Sequence, residues 1–160
     1  MTEEQKDSEK EILFGVIAEK EGVENNLFMM NLSFERLFDD VVIPYQQEES
    51  FFIDGVPIDQ KKLRKIKILR QTPACKFFIS DFHRRMRTGD LKTQQLYATQ
   101  YNVRLEAIFR ESAEDVTSQI IKAYNTEVKP KLRDYLPNRQ EILGAAFTAF
   151  IAAIKSLGGS

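Results

Sequence analysis

The chain has 160 residues, 42% apolar and 29% charged, with a single cysteine, a single histidine and no tryptophan. This predicts one globular unit that folds without a metal or an intramolecular disulfide, since Cys75 has no partner within the chain. The acidic first ten residues suit neither a secretory signal nor an Arg-rich transit peptide, and no apolar run reaches the roughly 20 residues of a spanning helix, so a cytoplasmic setting is expected. The net charge of −1 conceals a segregation: residues 1–60 hold 15 acidic and 4 basic side chains, residues 61–87 hold 10 basic and 1 acidic, and the remainder is nearly balanced. Such asymmetry bears on partners and association more than on fold.

In chain order, a first helix is expected over about 3–21, capped by Thr2 with Gln5 and burying Ile12, Leu13, Val16 and Ile17, with Gly22 as its stop. Ser33 suits the cap of a short helix from Phe34 to about Val42, ended by Pro44. Phe51-Phe52-Ile53, Asp54-Gly55 and Val56-Pro57-Ile58 spell a hairpin, because Asp-Gly accepts the positive φ angles of a tight primed turn. Asp59 then caps a single helical turn through Leu63. Lys65-Ile66-Lys67-Ile68 alternates as a strand does, burying both isoleucines and exposing both lysines.

After Pro73 the period becomes helical. Cys75, Phe78, Ile79, Phe82 and Met86 form one apolar stripe, and Phe77, Phe78 and Phe82 are all expected in the core. Thr88-Gly89-Asp90 combines a stop with a new cap. From Leu91 to about Val128 one long helix is expected, which Ser112 with Asp115 can restart. Its seam of Leu105, Phe109, Ala113, Val116, Ile120 and Ala123 packs against another helix. Pro130 and Pro137 bracket a connector, and Asn138 with Glu141 opens a last helix to about Leu157. The fold class is therefore α+β: a small antiparallel hairpin and sheet with helices over 1–88, then an all-helical segment over 89–160 with an apolar C-terminal helix. The two segments are expected to fold as one unit.

The residue inventory argues against the common enzyme classes. A zinc site needs three or four suitably spaced ligands, and the sequence holds no such cluster. The seven glycines are scattered or terminal, so neither a P-loop nor a dinucleotide fingerprint is present. His83 sits among Arg84, Arg85 and Arg87, and reads as a surface histidine on a basic helix. No catalytic residue, metal or cofactor is expected.

Two surfaces remain. The first is basic: Lys61, Lys62, Arg64, Lys65, Lys67, Arg70, Lys76, Arg84, Arg85 and Arg87 would form one positive face if the strand and the following helix align them. That face suits a protein partner, a nucleic acid or a nucleotide, or it is neutralised by the acidic front, within the chain or between copies. The second is the last helix. It is uncharged between Glu141 and Lys155, with Leu143, Phe147, Phe150, Ile151 and Ile154 on one side and alanines around them. It reads as core, as an oligomer interface or as a membrane-active segment. The leading expectation is a non-enzymatic regulatory or adaptor module that binds a protein partner and forms a homo-oligomer. A nucleic-acid or nucleotide-binding protein is the first alternative. A membrane-active effector of a bacterial defence or toxin system is the second.

Overall fold

Phe14-Gly15-Val16-Ile17-Ala18 contains no polar side chain, so a strand built from it has no face to give to water. In the computed structural model, which describes residues 12–20 and 26–158, this run lies in β1 (Phe14–Lys20), and all five residues are buried. The helix expected over 3–21 is thus overturned from Phe14 onward, while Thr2, Gln5 and Gly22 lie outside the described residues. Ile12, Leu13, Val16 and Ile17 do fit a helical stripe. Phe14 and Ala18 are apolar as well, however, and a continuous apolar run suits a central strand covered on both sides.

β1 pairs antiparallel with β2 (Leu27–Leu32) on one side and with β5 (Leu63–Arg70) on the other. β6 (Glu114–Asp115) closes the row, giving the order β2-β1-β5-β6. β3 (Phe51–Ile53) and β4 (Val56–Ile58) form the separate expected hairpin. Asp54 and Gly55 take φ of 51° and 77° at its turn.

Alternation along the strands splits the interior in two. Phe14, Val16, Ala18, Ile66 and Ile68 face a first core, and Ile17 and Leu69 face a second. β2 changes face midway. Phe14 opposes Leu32 while Val16 opposes Met29, so β2 carries one extra residue, and Leu32 joins the first core while Phe28 joins the second. The bulge places Asn31 at φ 62°. Buried Gln71 holds it there: the Asn31 N–H donates to Gln71 Oε1 at 2.9 Å, and Gln71 Nε2 donates to Asn31 Oδ1 at 3.1 Å.

The first core is roofed by α1, which runs from Phe34–Leu37 through a π-helical stretch, Phe38–Val42, to Ile43–Gln46. Ser33 caps it, accepting from the Arg36 N–H at 3.2 Å. Pro44 does not end it. The π turn, in which the Ile43 N–H reaches the Phe38 carbonyl, resets the ladder so that the proline opens the last α turn, where its missing N–H costs little. The hairpin residues Phe51, Ile53 and Ile58 join the same core.

Helix α2 (Pro73–Thr88), α3 (Leu91–Thr99) and α4 (Tyr101–Ser112) make a layer over the opposite sheet face. α5 (Thr117–Ala123), continued by a π-helical Tyr124–Val128, and α6 (Arg139–Gly158) return to the first core. The single long helix expected from Leu91 to Val128 is therefore broken. Its seam is divided: Leu105 and Phe109 lie in the second core, and Val116, Ile120 and Ala123 in the first. Between them the chain crosses the sheet edge as β6. Val116 N–H bonds the Ile68 carbonyl at 2.9 Å, Thr117 Oγ1 accepts from the Ile68 N–H at 2.8 Å, and Asp115 accepts from the Thr117 N–H at 3.0 Å.

Both cores draw side chains from before and after residue 88. Gly15 is closely packed: a Cβ there would lie 2.5 Å from Cε1 of Phe109, a ring that also meets Phe28 at 4.8 Å. Gly15→Ala is expected to destabilise the fold by about 1–3 kcal/mol through overpacking. In a Phe109→Leu background the same change should cost less, by at least about 0.5 kcal/mol in a denaturant-unfolding cycle.

Candidate functional site

Helix α2 starts where Thr72 Oγ1 accepts from the Cys75 N–H at 3.1 Å, with Pro73 in the first turn. Cys75, Ile79 and Phe82 fix its inner face in the second core, and burial pushes the Cys75 thiol up. Phe77 and Phe78 do not join them. They are 66% and 48% exposed, with ring centroids 5.6 Å apart in an edge-to-face arrangement. This corrects the expectation that both are core. At 100° per residue Phe77 lies on the far side of the helix from the Cys75 stripe, and Phe78 at its margin.

The same layer exposes more apolar surface. α3 contains no buried residue, and its Leu91 is 69% exposed; Leu96, and Val103 on α4, are exposed as well. Aromatic contacts hold α3 in place instead. Tyr97 stacks on Phe82 at 5.4 Å, and the Arg104 guanidinium lies 4.4 Å over the Tyr97 ring. His83 is half-buried here rather than on the open surface, with Nε2 2.8 Å from the Tyr101 hydroxyl and the two rings stacked.

The basic residues do not share one face. Lys65 and Lys67 lie on the second-core side of β5, opposite Glu19 and Ile17 of β1. Arg70 has the parity of Ile66 and Ile68, on the other side, where its guanidinium donates to Glu114 Oε2 through Nε at 2.8 Å. Lys61 is exposed in the short 3₁₀ turn, where Asp59 accepts from its N–H, while the side chains of Lys62 and Arg64 lie outside the described residues. Lys76, Arg84, Arg85 and Arg87 are exposed on α2. Asp81 bonds Arg84 at 2.6 Å and Arg85 at 3.0 Å, and the Arg84 bond holds the Asp81 carboxyl below its usual range.

The acidic front meets the basic stretch through Glu19. Its carboxylate accepts from Arg110 at 2.9 Å, and that bond, with the fields of Arg110, Lys65 and Lys67, holds it below the ordinary carboxylate range against the opposing effect of burial. Other front acids turn elsewhere. Asp39 takes Nε of Arg139 at 2.8 Å and the hydroxyl of buried Tyr135, and Glu35 lies 3.4 Å from the same arginine. This cluster pins the start of α6 to α1. Burial, then the Asp39 carboxylate, push the Tyr135 phenol well above its ordinary value.

Along α6, Leu143 and Phe150 are buried in the first core, with Phe150 edge-on to Phe14 at 5.6 Å, so these two serve the fold and are not an open interface. Phe147, Ile151 and Ile154 are partly buried against the same core. Among the described residues no helix is long and apolar enough to cross a membrane, and no three His, Cys, Asp or Glu side chains converge as metal ligands.

A groove of about 630 Å³ opens between β2, α1 and the hairpin. Met29, Pro44, Phe51 and Phe52 supply its apolar lining, and Arg36, Asp40 and Asp54 its charges. Phe52 stands out at 63% exposed because strand alternation sends Phe51 and Ile53 inward.

Comparison with known proteins finds no matching family model, curated relative or solved structure.

If Phe77 and Phe78 belong to the surface, Phe77→Ser and Phe78→Ser should each leave unfolding free energy within about 0.5 kcal/mol of wild type. Phe82→Ala, by contrast, should cost about 3–5 kcal/mol. Glu19→Gln should lower stability at neutral pH by roughly 0.2–1 kcal/mol. Because the native Glu19 pKa is depressed, its contribution is present above the unfolded pKa and is lost as pH falls through the native value. The two unfolding curves should therefore converge in acid.

Proposed function

We propose that this protein is a non-enzymatic interaction module whose working surface is the outer side of the α2–α4 layer. The observation that carries this reading is the exposed Phe77–Phe78 pair with Arg84 and Arg85 within two turns along the same helix. Covering what remains exposed of each ring against a partner is worth about 1–2 kcal/mol. Aromatic and arginine side chains are also the residue types that dominate protein–protein hot spots. Leu91, Leu96 and Val103 extend the apolar character across α3 and α4. The cations around the pair favour a partner that is apolar at its centre and acidic at its rim.

A second reading has one observation in its favour. Exposed aromatic rings beside arginines also make a stacking platform for single-stranded nucleic acid. The aliphatic Leu91, Leu96 and Val103 offer no such platform. Arg70 lies on the opposite sheet face, engaged by Glu114, and adds no charge to this surface. These features favour a protein partner.

The test is photo-crosslinking in cells with p-benzoylphenylalanine in place of Phe77, and with the same group in place of the exposed Gln140 as control. Protein adducts are expected at position 77, absent from position 140 and lost on adding Arg84→Glu and Arg85→Glu. Adducts that are nuclease-sensitive and contain no second protein would favour the nucleic-acid reading. No adduct at position 77 would contradict both.

A further inference from the structure

We infer that one partner of the Phe77–Phe78 surface is a second copy of this chain, which receives the aromatic pair in the groove between its hairpin and α1. The inference rests on the interaction-surface reading above and adds the identity of the occupant. Two complementary surfaces on one molecule support it. The first presents two adjacent phenyl rings with Arg84 and Arg85 toward the C-terminal end of the same helix. The second is a groove of about 630 Å³ lined by Met29, Pro44, Phe51 and Phe52.

Charge selects the same match. Asp40 and Asp54 line the groove, and the exposed Glu48 and Glu49 precede its Ser50, against a single lining cation, Arg36. Arg36 is already turned toward Asp40, at 3.6 Å. An incoming α2 would bring Arg84 and Arg85 to this acidic rim. Two α2 surfaces facing each other across a two-fold axis at the aromatic pairs would offer Arg84 and Arg85 no such acidic rim, since Asp81 is the one acidic residue of α2. The favoured contact therefore joins two different surfaces, the aromatic pair of one copy and the groove of another. Such a contact is reciprocated in a two-fold dimer, closes into a larger ring, or grows as a filament, according to its rotation. It also gives the segregated charge of the sequence a role between copies.

The experiment is sedimentation velocity of the full chain over a concentration series, at low and at high salt. One variant carries Phe77→Glu with Phe78→Glu, and a second carries Asp40→Lys with Asp54→Asn, the asparagine retaining tolerance for positive φ at the turn. All four positions are exposed, and circular dichroism with thermal unfolding confirms that each variant is folded. Wild type is expected to form oligomers that weaken with salt. Each variant alone should raise the apparent dissociation constant at least about 100-fold. Mixed together they should form a one-to-one dimer and nothing larger, because one retains the aromatic pair and the other the groove.

A wild-type chain that stays monomeric at hundreds of micromolar would overturn the inference. So would oligomers indifferent to both variants, or a dimer that the mixture does not restore. A monomer that still yields protein adducts at position 77 would place the occupant on a different protein, leaving the interaction-surface reading standing while this inference falls.

Discussion

The structure depends on a single strand having no face for water. β1 is buried on both sides, so it needs two cores, and the molecule is arranged to supply them. Phe14, Val16 and Ala18 require the first, closed by α1, α5, α6 and the hairpin. Gly15 and Ile17 require the second, closed by α2 and α4, with the Phe109 ring seated directly on the glycine backbone. A sheet with only one covered face would leave half of that strand in solvent. The chain therefore has to visit both sides, and it changes sides twice: at the β5–α2 turn, and again across the sheet edge at β6.

That second crossing decides what the surface looks like. By dividing residues 91–128 between two layers, it leaves α3 resting on the second core through Tyr97, held by the Phe82, Tyr97 and Tyr101 rings and not by burial of its own leucines. The layer therefore satisfies the sheet with its inner residues and still presents Phe77, Phe78, Leu91 and Leu96 to water. The charges follow the same division. Pairs such as Arg139 with Asp39, Arg70 with Glu114 and Arg110 with Glu19 join separate elements, whereas Arg84 and Arg85 of α2 are held by Asp81 of their own helix. Cations paired within one exposed helix are available to a neighbour at little structural cost.

Much of this was legible from local chemistry. Ser33, Asp59 and Asp90 cap where their side chains predict, the Asp-Gly turn forms its hairpin, and the Ile66–Ile68 alternation gives a strand. The misreadings share a cause: periodicity says that a residue is buried, not against what. Val16 and Ile17 fitted a helical stripe with Ile12 and Leu13 while belonging to a strand buried twice over. The seam from Leu105 to Ala123 kept helical spacing across a break, because the residues on either side still needed burial, though in different cores. Pro44 stopped nothing because a π turn absorbed it. On α2, proximity to the apolar stripe drew Phe77 and Phe78 inward, although the helical angle alone separates Phe77 from Cys75. The groove was out of reach, since it joins residues of β2, α1 and the hairpin through tertiary packing.

Those distinctions lead to one direct measurement: hydrogen–deuterium exchange of the full chain, compared between dilute and concentrated solution. Protection gained on concentration should appear over residues 73–88 and over residues 34–58, the aromatic helix and the rim of the groove, and α6 should be unchanged. Protection gained along residues 139–158 alone would return the interface to the C-terminal helix, and no gain anywhere would contradict association through either surface.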